Sequence, residues 1–173
     1  MTQVGDPAAE PTAVAVLAEL ARSSATLATA ESLTGGMIGA LLTAVPGASA
    51  SYVGGVISYA TRLKETLAGV RAATLAELGP VARATAEEMA TGVARRCSAD
   101  WGLAVTGVAG PEPQDGHPVG QVFVGLAYPA HAWASVHELR LRGNRDAIRR
   151  HTAVAALTLL NEALRNGAPD PER

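Results

Sequence analysis

Residues 121 to 128 read QVFVGLAY, eight consecutive positions without a charge. A strand with one solvated face alternates polar and apolar side chains, whereas a strand packed on both faces has no reason to. The run therefore predicts a central strand with a layer above it and a layer below. After a tight Pro129-Ala130 turn, AWASVHELRLR does alternate, with Trp133, Leu139 and Leu141 on one face and Glu138, Arg140 and Arg142 on the other. That spacing predicts an antiparallel partner over 132–141, exposed on one side.

Three shorter runs complete a sheet: TLATA (26–30), VGGVISY (53–59) and GLAVTG (102–107). Gly54-Gly55 inside the second marks a bulge or a close backbone approach. Helical periodicity fills the intervals. A first helix over 12–23 carries Val14, Leu17 and Ala21 on one face, and a second is expected over about 34–44, before the Pro46-Gly47 breaker. TRLKETL is short and stops at Gly69. Pro80 opens a better helix in which Val81, Thr85, Met89 and Val93 recur every fourth residue. Asn144 caps a long last helix with Ile148, Val154, Leu157, Leu160 and Leu164 on its stripe, stopped by Gly167 and Pro169. Strands flanked by helices predict a three-layer αβα sandwich around a mixed, five-stranded sheet. One domain is expected over 12–166, between tails at 1–11 and 167–173.

Aromatic residues make up only 3% of the chain against 48% hydrophobic, so Ala, Val and Leu must build the core, and 18 glycines favour close backbone approach. A net charge of -2 with so few aromatics gives no nucleic-acid platform and no attraction to an anionic membrane. Cys97 is the only cysteine, which leaves no internal disulfide and no cysteine metal cluster. Neither a leader pattern nor an uncharged apolar run of ~18 residues is present, so a cytoplasmic location is expected.

Four polar constellations interrupt this framework. Glu31-Ser32-Leu33-Thr34-Gly35-Gly36 sits where a strand hands over to a helix. Thr34 can cap that helix, with Gly35 and Gly36 opening its first turn to an anion. An ordinary cap with glycines for packing is the plainer reading, although it does not explain Glu31 and Ser32. In ISYATRLKETLAGV, Tyr59 ends a strand and Lys64 lies in the next helix. A desolvated Lys can act as a base toward a serine, yet Arg62 and Glu65 beside it suit a solvated helix face equally. A strand ends in Thr106-Gly107, and the loop after it, with Gly110-Pro111, can turn backbone groups toward a ligand or merely connect two strands. Arg145 falls in the first turn of the last helix, where the helix dipole disfavours a cation. An anionic ligand or a basic surface with Arg142, Arg149 and Arg150 would account for it. His117, His131, His137 and His151 are scattered, and no metal site is expected.

Taken together, ATAESLTGG, TAVPGASASYVGGVISYATRLKETLAGV, AVTGVAGP with PVGQVFVGLA, and LRGNRDAIR resemble the C-terminal domain of the competence-damage-inducible CinA family, from about residue 12 to 165. The resemblance implies an amidohydrolase that converts nicotinamide mononucleotide and water to nicotinic acid mononucleotide and ammonia, without metal or organic cofactor. It also implies a homodimer or larger assembly. The alternative is a nucleotide-binding regulatory or assembly module without turnover. Two features depart from the family: Leu33 stands where Cys is frequent, and PEPQDGHP replaces a run of glycines after Gly110. On this reading Ser32 is the first candidate nucleophile, with Lys64 as base and Tyr59 in the hydroxyl network. Ser49 in the turn before the second strand, or a water, is the rival. Glu31, Thr34, Gly35, Gly36, Ser49, Thr106, Gly107, Gly110 and Arg145 are assigned to substrate binding.

Overall fold

A computed structural model describes residues 10–166, so the two expected tails fall largely outside the described residues. The chain runs α1 (Pro11–Arg22), β1 (Leu27–Glu31), α2 (Met37–Thr43), β2 (Tyr52–Ile57), α3 (Thr61–Thr66), α4 (Ala72–Leu78), α5 (Arg83–Arg96), β3 (Trp101–Gly107), β4 (Gln121–Tyr128), β5 (Trp133–Arg140) and α6 (Arg145–Asn166). The strands form one sheet in the order β2-β1-β3-β4-β5. β1 is parallel to both β2 and β3, while β4 is antiparallel to β3 and to β5. The mixed five-stranded sheet and the antiparallel pair read from the sequence are both present.

Side chains leave each strand alternately to two cores. Leu27, Leu103, Val105, Val122, Val124 and Leu126 join α1, α2 and α6 on one face. Ala28, Ala30, Ala104 and Ala127 meet Met89, Ala90 and Val93 of α5 on the other. The second face is built for contact rather than bulk. A Cβ on Gly102 would lie 1.9 Å from the carbonyl oxygen of Ala90, and one on Gly125 2.2 Å from that of Ala86. Glycine at these two strand positions lets α5 rest directly on the sheet, which explains a packed core with few aromatics. Trp101 is an exception; it is buried, stacked on Tyr128 and edge-on to Trp133 at the far end of the sheet.

Several boundaries differ from the sequence reading. α1 starts at Pro11, where the Glu10 side chain accepts from Thr12 N–H, and it buries Ala13, Val16, Leu17 and Leu20 while Val14 and Ala21 stay exposed. α2 begins at Met37 instead of Thr34, because Gly35 and Gly36 both take positive φ, 61° and 98°, and hold the preceding residues out of the helix. α4 is not expected from the sequence: it buries only Thr74, so it carries no apolar stripe. Pro80 and Val81 precede α5, which starts at Arg83. At α6 the cap is as read, with Asn144 Oδ1 accepting from Ala147 N–H at 2.9 Å. The Gly167 and Pro169 stop signals lie outside the described residues. Among the described residues no helix is long and apolar enough to cross a membrane.

Candidate active site

Because β1, β2 and β3 are parallel, the segments that follow them emerge at one edge of the sheet. The chain leaves β1 toward β2 on one side, and β3 lies on the other, so this edge is the switch point where open α/β sheets form clefts. A cavity of about 130 Å³ lies there, lined by Ser32 after β1, Tyr59 and Lys64 after β2, and Thr106, Gly107 and Gly110 after β3, with Arg145 of α6 at its wall.

Lys64 occupies its floor. It is 2% exposed, the largest of the fully buried side chains, and reaches there from the single-turn helix α3. In its charged form Nζ donates to Ser32 Oγ at 2.9 Å and to the Ser58 carbonyl oxygen at 2.8 Å. Among the described residues it forms no ion pair, and burial lowers its pKa from 10.5 to about 8. An appreciable neutral fraction therefore exists near pH 7 to 8, with a lone pair beside a serine hydroxyl. Ser32 itself is 7% exposed and is held by the donation of its backbone N–H to the Val105 carbonyl oxygen.

Glu31 explains the polar knot, and it corrects the anion-cradle reading. The carboxylate is 2% exposed. Its Oε2 accepts from Thr34 Oγ1 at 2.7 Å, Gly36 N–H at 3.0 Å and Ile38 N–H at 3.1 Å, and its Oε1 accepts from Gly39 N–H at 2.8 Å. The N-terminal amides of α2 are thus already satisfied by an internal anion, so they offer neither a phosphate cradle nor an oxyanion hole. Thr34 is fully buried with its hydroxyl spent on Glu31, and is not the helix cap. Glu31, Thr34, Gly35 and Gly36 do not line the cavity; Glu31 and Gly36 face a separate groove against Tyr52 and Ile57. The Gly35 N–H returns to the Ser32 carbonyl oxygen. Leu33 and Thr34 carry the two amides of this turn with no acceptor among the described residues. From α6, Arg149 donates to both carbonyl oxygens of the same two residues, at 3.0 and 2.9 Å, and fixes the peptide planes.

Ser49 is excluded from this cavity by topology. It is exposed in a 3-10 turn (Ala48–Ala50) that precedes β2, at the edge of the sheet where β1 and β2 begin. Ser32 lies where β1 ends, so the length of the five-residue strand, roughly 16 Å, separates them within one chain. Tyr59 also differs from expectation. It is 58% exposed, and its hydroxyl accepts from Arg145 Nη2 at 2.8 Å, not from Ser32 or Lys64. Arg145 donates in addition to the Gly110 carbonyl oxygen at 2.5 Å, so the guanidinium ties the loop after β3 to the end of β2. Thr106 is buried, its hydroxyl donating to the Pro80 carbonyl oxygen at 2.6 Å, which ties together two residues of the cavity wall. At Gly107 a Cβ would lie 2.5 Å from the Gln121 carbonyl oxygen, so only glycine allows the loop to leave the sheet there.

Sequence reasoning missed the Ser58 carbonyl oxygen as the anchor of Lys64, Arg149 as the clamp on the Ser32 turn, and Glu112 and Gln114 in the cavity wall. A signal for the first was present. Lys64 is the only lysine among 14 basic residues, all others being arginine. Arginine stays charged at any accessible pH, so a site that needs a deprotonatable amine cannot use it.

The CinA C-terminal domain family profile matches residues 9–164. A CinA-like protein of Frankia casuarinae is 48% identical over 157 residues, covering 91% of this chain and 36% of that protein. A putative competence-damage inducible protein of Desulforamulus reducens is 48% identical over 139 residues, covering 80% and 33%. The chain thus spans about a third of the length of these curated relatives. Among solved structures, the competence/damage inducible protein CihA of Agrobacterium tumefaciens superposes with a TM-score of 0.85 at 34% identity, covering 95% of this chain and 99% of that one. A CinA superfamily protein of Klebsiella pneumoniae gives 0.84 at 31% identity, covering 91% and 100%. With the profile spanning nearly the whole chain, this protein belongs to the CinA C-terminal domain family.

Proposed function

We propose that the cavity hydrolyses the carboxamide of nicotinamide mononucleotide, giving nicotinic acid mononucleotide and ammonia. The observation that carries the reading is the buried, unpaired Lys64 amine 2.9 Å from the Ser32 hydroxyl. Neutral Lys64 takes the Ser32 proton as Oγ attacks the carboxamide carbon. The oxyanion forms beside the free amide of Leu33, which borders the cavity, such a donor typically contributing about 3 kcal/mol. Lys64 returns the proton to the departing nitrogen, and the C–N bond breaks to release ammonia. A water, deprotonated by the same amine, then cleaves the Ser32 ester to the carboxylate product. No step needs a metal or an organic cofactor. Arg145 supplies the positive charge for the substrate phosphate at the mouth, while Thr106, Gly107 and Gly110 shape the wall.

The proposal includes a homodimer or larger assembly, for which light scattering at micromolar concentration is the measurement; a monomer only would contradict it. Ammonia release from nicotinamide mononucleotide tests the activity itself. The purified chain is expected to turn it over, and Ser32→Ala to lose at least about a thousandfold in kcat. Wild-type turnover by Ser32→Ala would transfer the attack to water.

A further inference from the structure

The loop between β3 and β4 brings one acidic side chain, Glu112, to the wall of a cavity whose other ionisable linings are Lys64, Arg145 and Tyr59. The cations and the phenol are engaged: Lys64 with Ser32 and Ser58, Arg145 with Gly110 and Tyr59. The Glu112 carboxylate has no hydrogen bond and no ion pair among the described residues, although Arg145 borders the same cavity. An unengaged anion on this wall opposes a phosphate placed next to it and favours a cation there. Resting on the proposed function, the substrate offers such a cation. With its carboxamide at Ser32, the ring nitrogen meta to that group is quaternary and positively charged. It has no proton to donate and can be recognised only by charge or by stacking. Described residues lining the cavity include no aromatic side chain except Tyr59, already bonded to Arg145.

We infer that Glu112 is a specificity-determining residue: its carboxylate faces the quaternary ring nitrogen and selects pyridinium carboxamides over neutral carboxamides of the same shape. The phosphate then lies away from Glu112, on the Arg145 side of the mouth.

The test compares nicotinamide mononucleotide with its reduced dihydropyridine form, which keeps the shape, ribose and phosphate but has a neutral ring. Kd by calorimetry and kcat/KM by ammonia release are measured for wild-type protein and Glu112→Gln. The expected result is that the variant weakens the oxidised form about fivefold, as for a partly solvated charge pair, and leaves the reduced form unchanged. High salt should shrink the wild-type preference and leave the variant indifferent. Equal effects on both forms, or none, would overturn the inference. Tighter binding of the oxidised form by Glu112→Gln would instead show that the carboxylate opposes the phosphate, and would overturn it as well. If wild-type protein binds the oxidised form without releasing ammonia, the proposed hydrolysis fails while the calorimetric ratio still decides the role of Glu112. If it binds neither form, both readings fail.

Discussion

Replacing Glu31 by glutamine tests whether the polar knot is an internal cap. The side chain keeps its size and loses its charge and one acceptor. With the amide oxygen in the place of Oε2, the donors from Thr34, Gly36 and Ile38 keep a weaker partner, while the amide nitrogen is turned against Gly39 N–H. A lost bond to a buried charge costs about 1.5 to 3 kcal/mol, and a donor left facing a donor adds about 1. The expected loss is therefore about 3 kcal/mol. With a slope near 2 kcal/mol per molar for a domain of this size, the urea midpoint should fall by about 1.5 M. Glu31→Ala removes all four acceptor contacts and should cost more. A shift below about 0.5 M for Glu31→Gln would mean that the carboxylate does not hold these amides, and that the N-terminus of α2 is open to an external anion after all.

Three further outcomes are expected. Lys64 titrates near 8 when folded and at its ordinary value when unfolded, so between about 8 and 10.5 the unfolded chain binds the extra proton. Wild-type stability should accordingly rise by about 3 kcal/mol relative to Lys64→Met across that window and run parallel to it below pH 8; a difference curve that stays flat in denaturant titrations would contradict the burial argument. Gly92→Ala puts a Cβ 1.9 Å from the Ala68 carbonyl oxygen in the contact between α5 and the segment after α3, and should lower stability by about 3 kcal/mol by thermal unfolding. Tyr59→Phe removes an exposed hydroxyl bonded, among the described residues, only to Arg145, so stability should change by less than about 0.5 kcal/mol. KM for nicotinamide mononucleotide should rise more than kcat falls, and an equal loss in kcat alone would place Tyr59 in the chemistry.

The sheet was legible because its strands carry their environment in their composition. The uncharged run at β4 is buried at every position before Tyr128, and the alternating run at β5 has the polar face of an edge strand. α4 was not legible, since a helix lying on the surface with one buried residue needs no periodic stripe. Ser32 and Lys64 were found as separate junction residues, and the parallel strands bring them together as expected. What the sequence could not convey was direction. Glu31 belongs to the strand and folds forward onto the helix that follows, so a residue that looked available to a ligand is consumed by the chain. Tyr59 and Lys64 are five positions apart in the segment that follows β2, yet one turns outward to Arg145 and the other inward to Ser32. Ser49 sits in a motif continuous with β2, but at its beginning, and a parallel sheet puts beginnings and ends of strands on opposite edges.

Because the chain has a single lysine, its Cε resonance can be followed without ambiguity by NMR in protein labelled with 13C-lysine. In the proposed reaction that amine is a neutral base beside Ser32, and its titration measures this directly. The Lys64 signal should titrate near pH 8, and kcat/KM for nicotinamide mononucleotide should rise with the same midpoint as the amine loses its proton. A Lys64 midpoint at the ordinary lysine value near 10.4, with turnover already at its plateau at pH 7, would contradict the dyad.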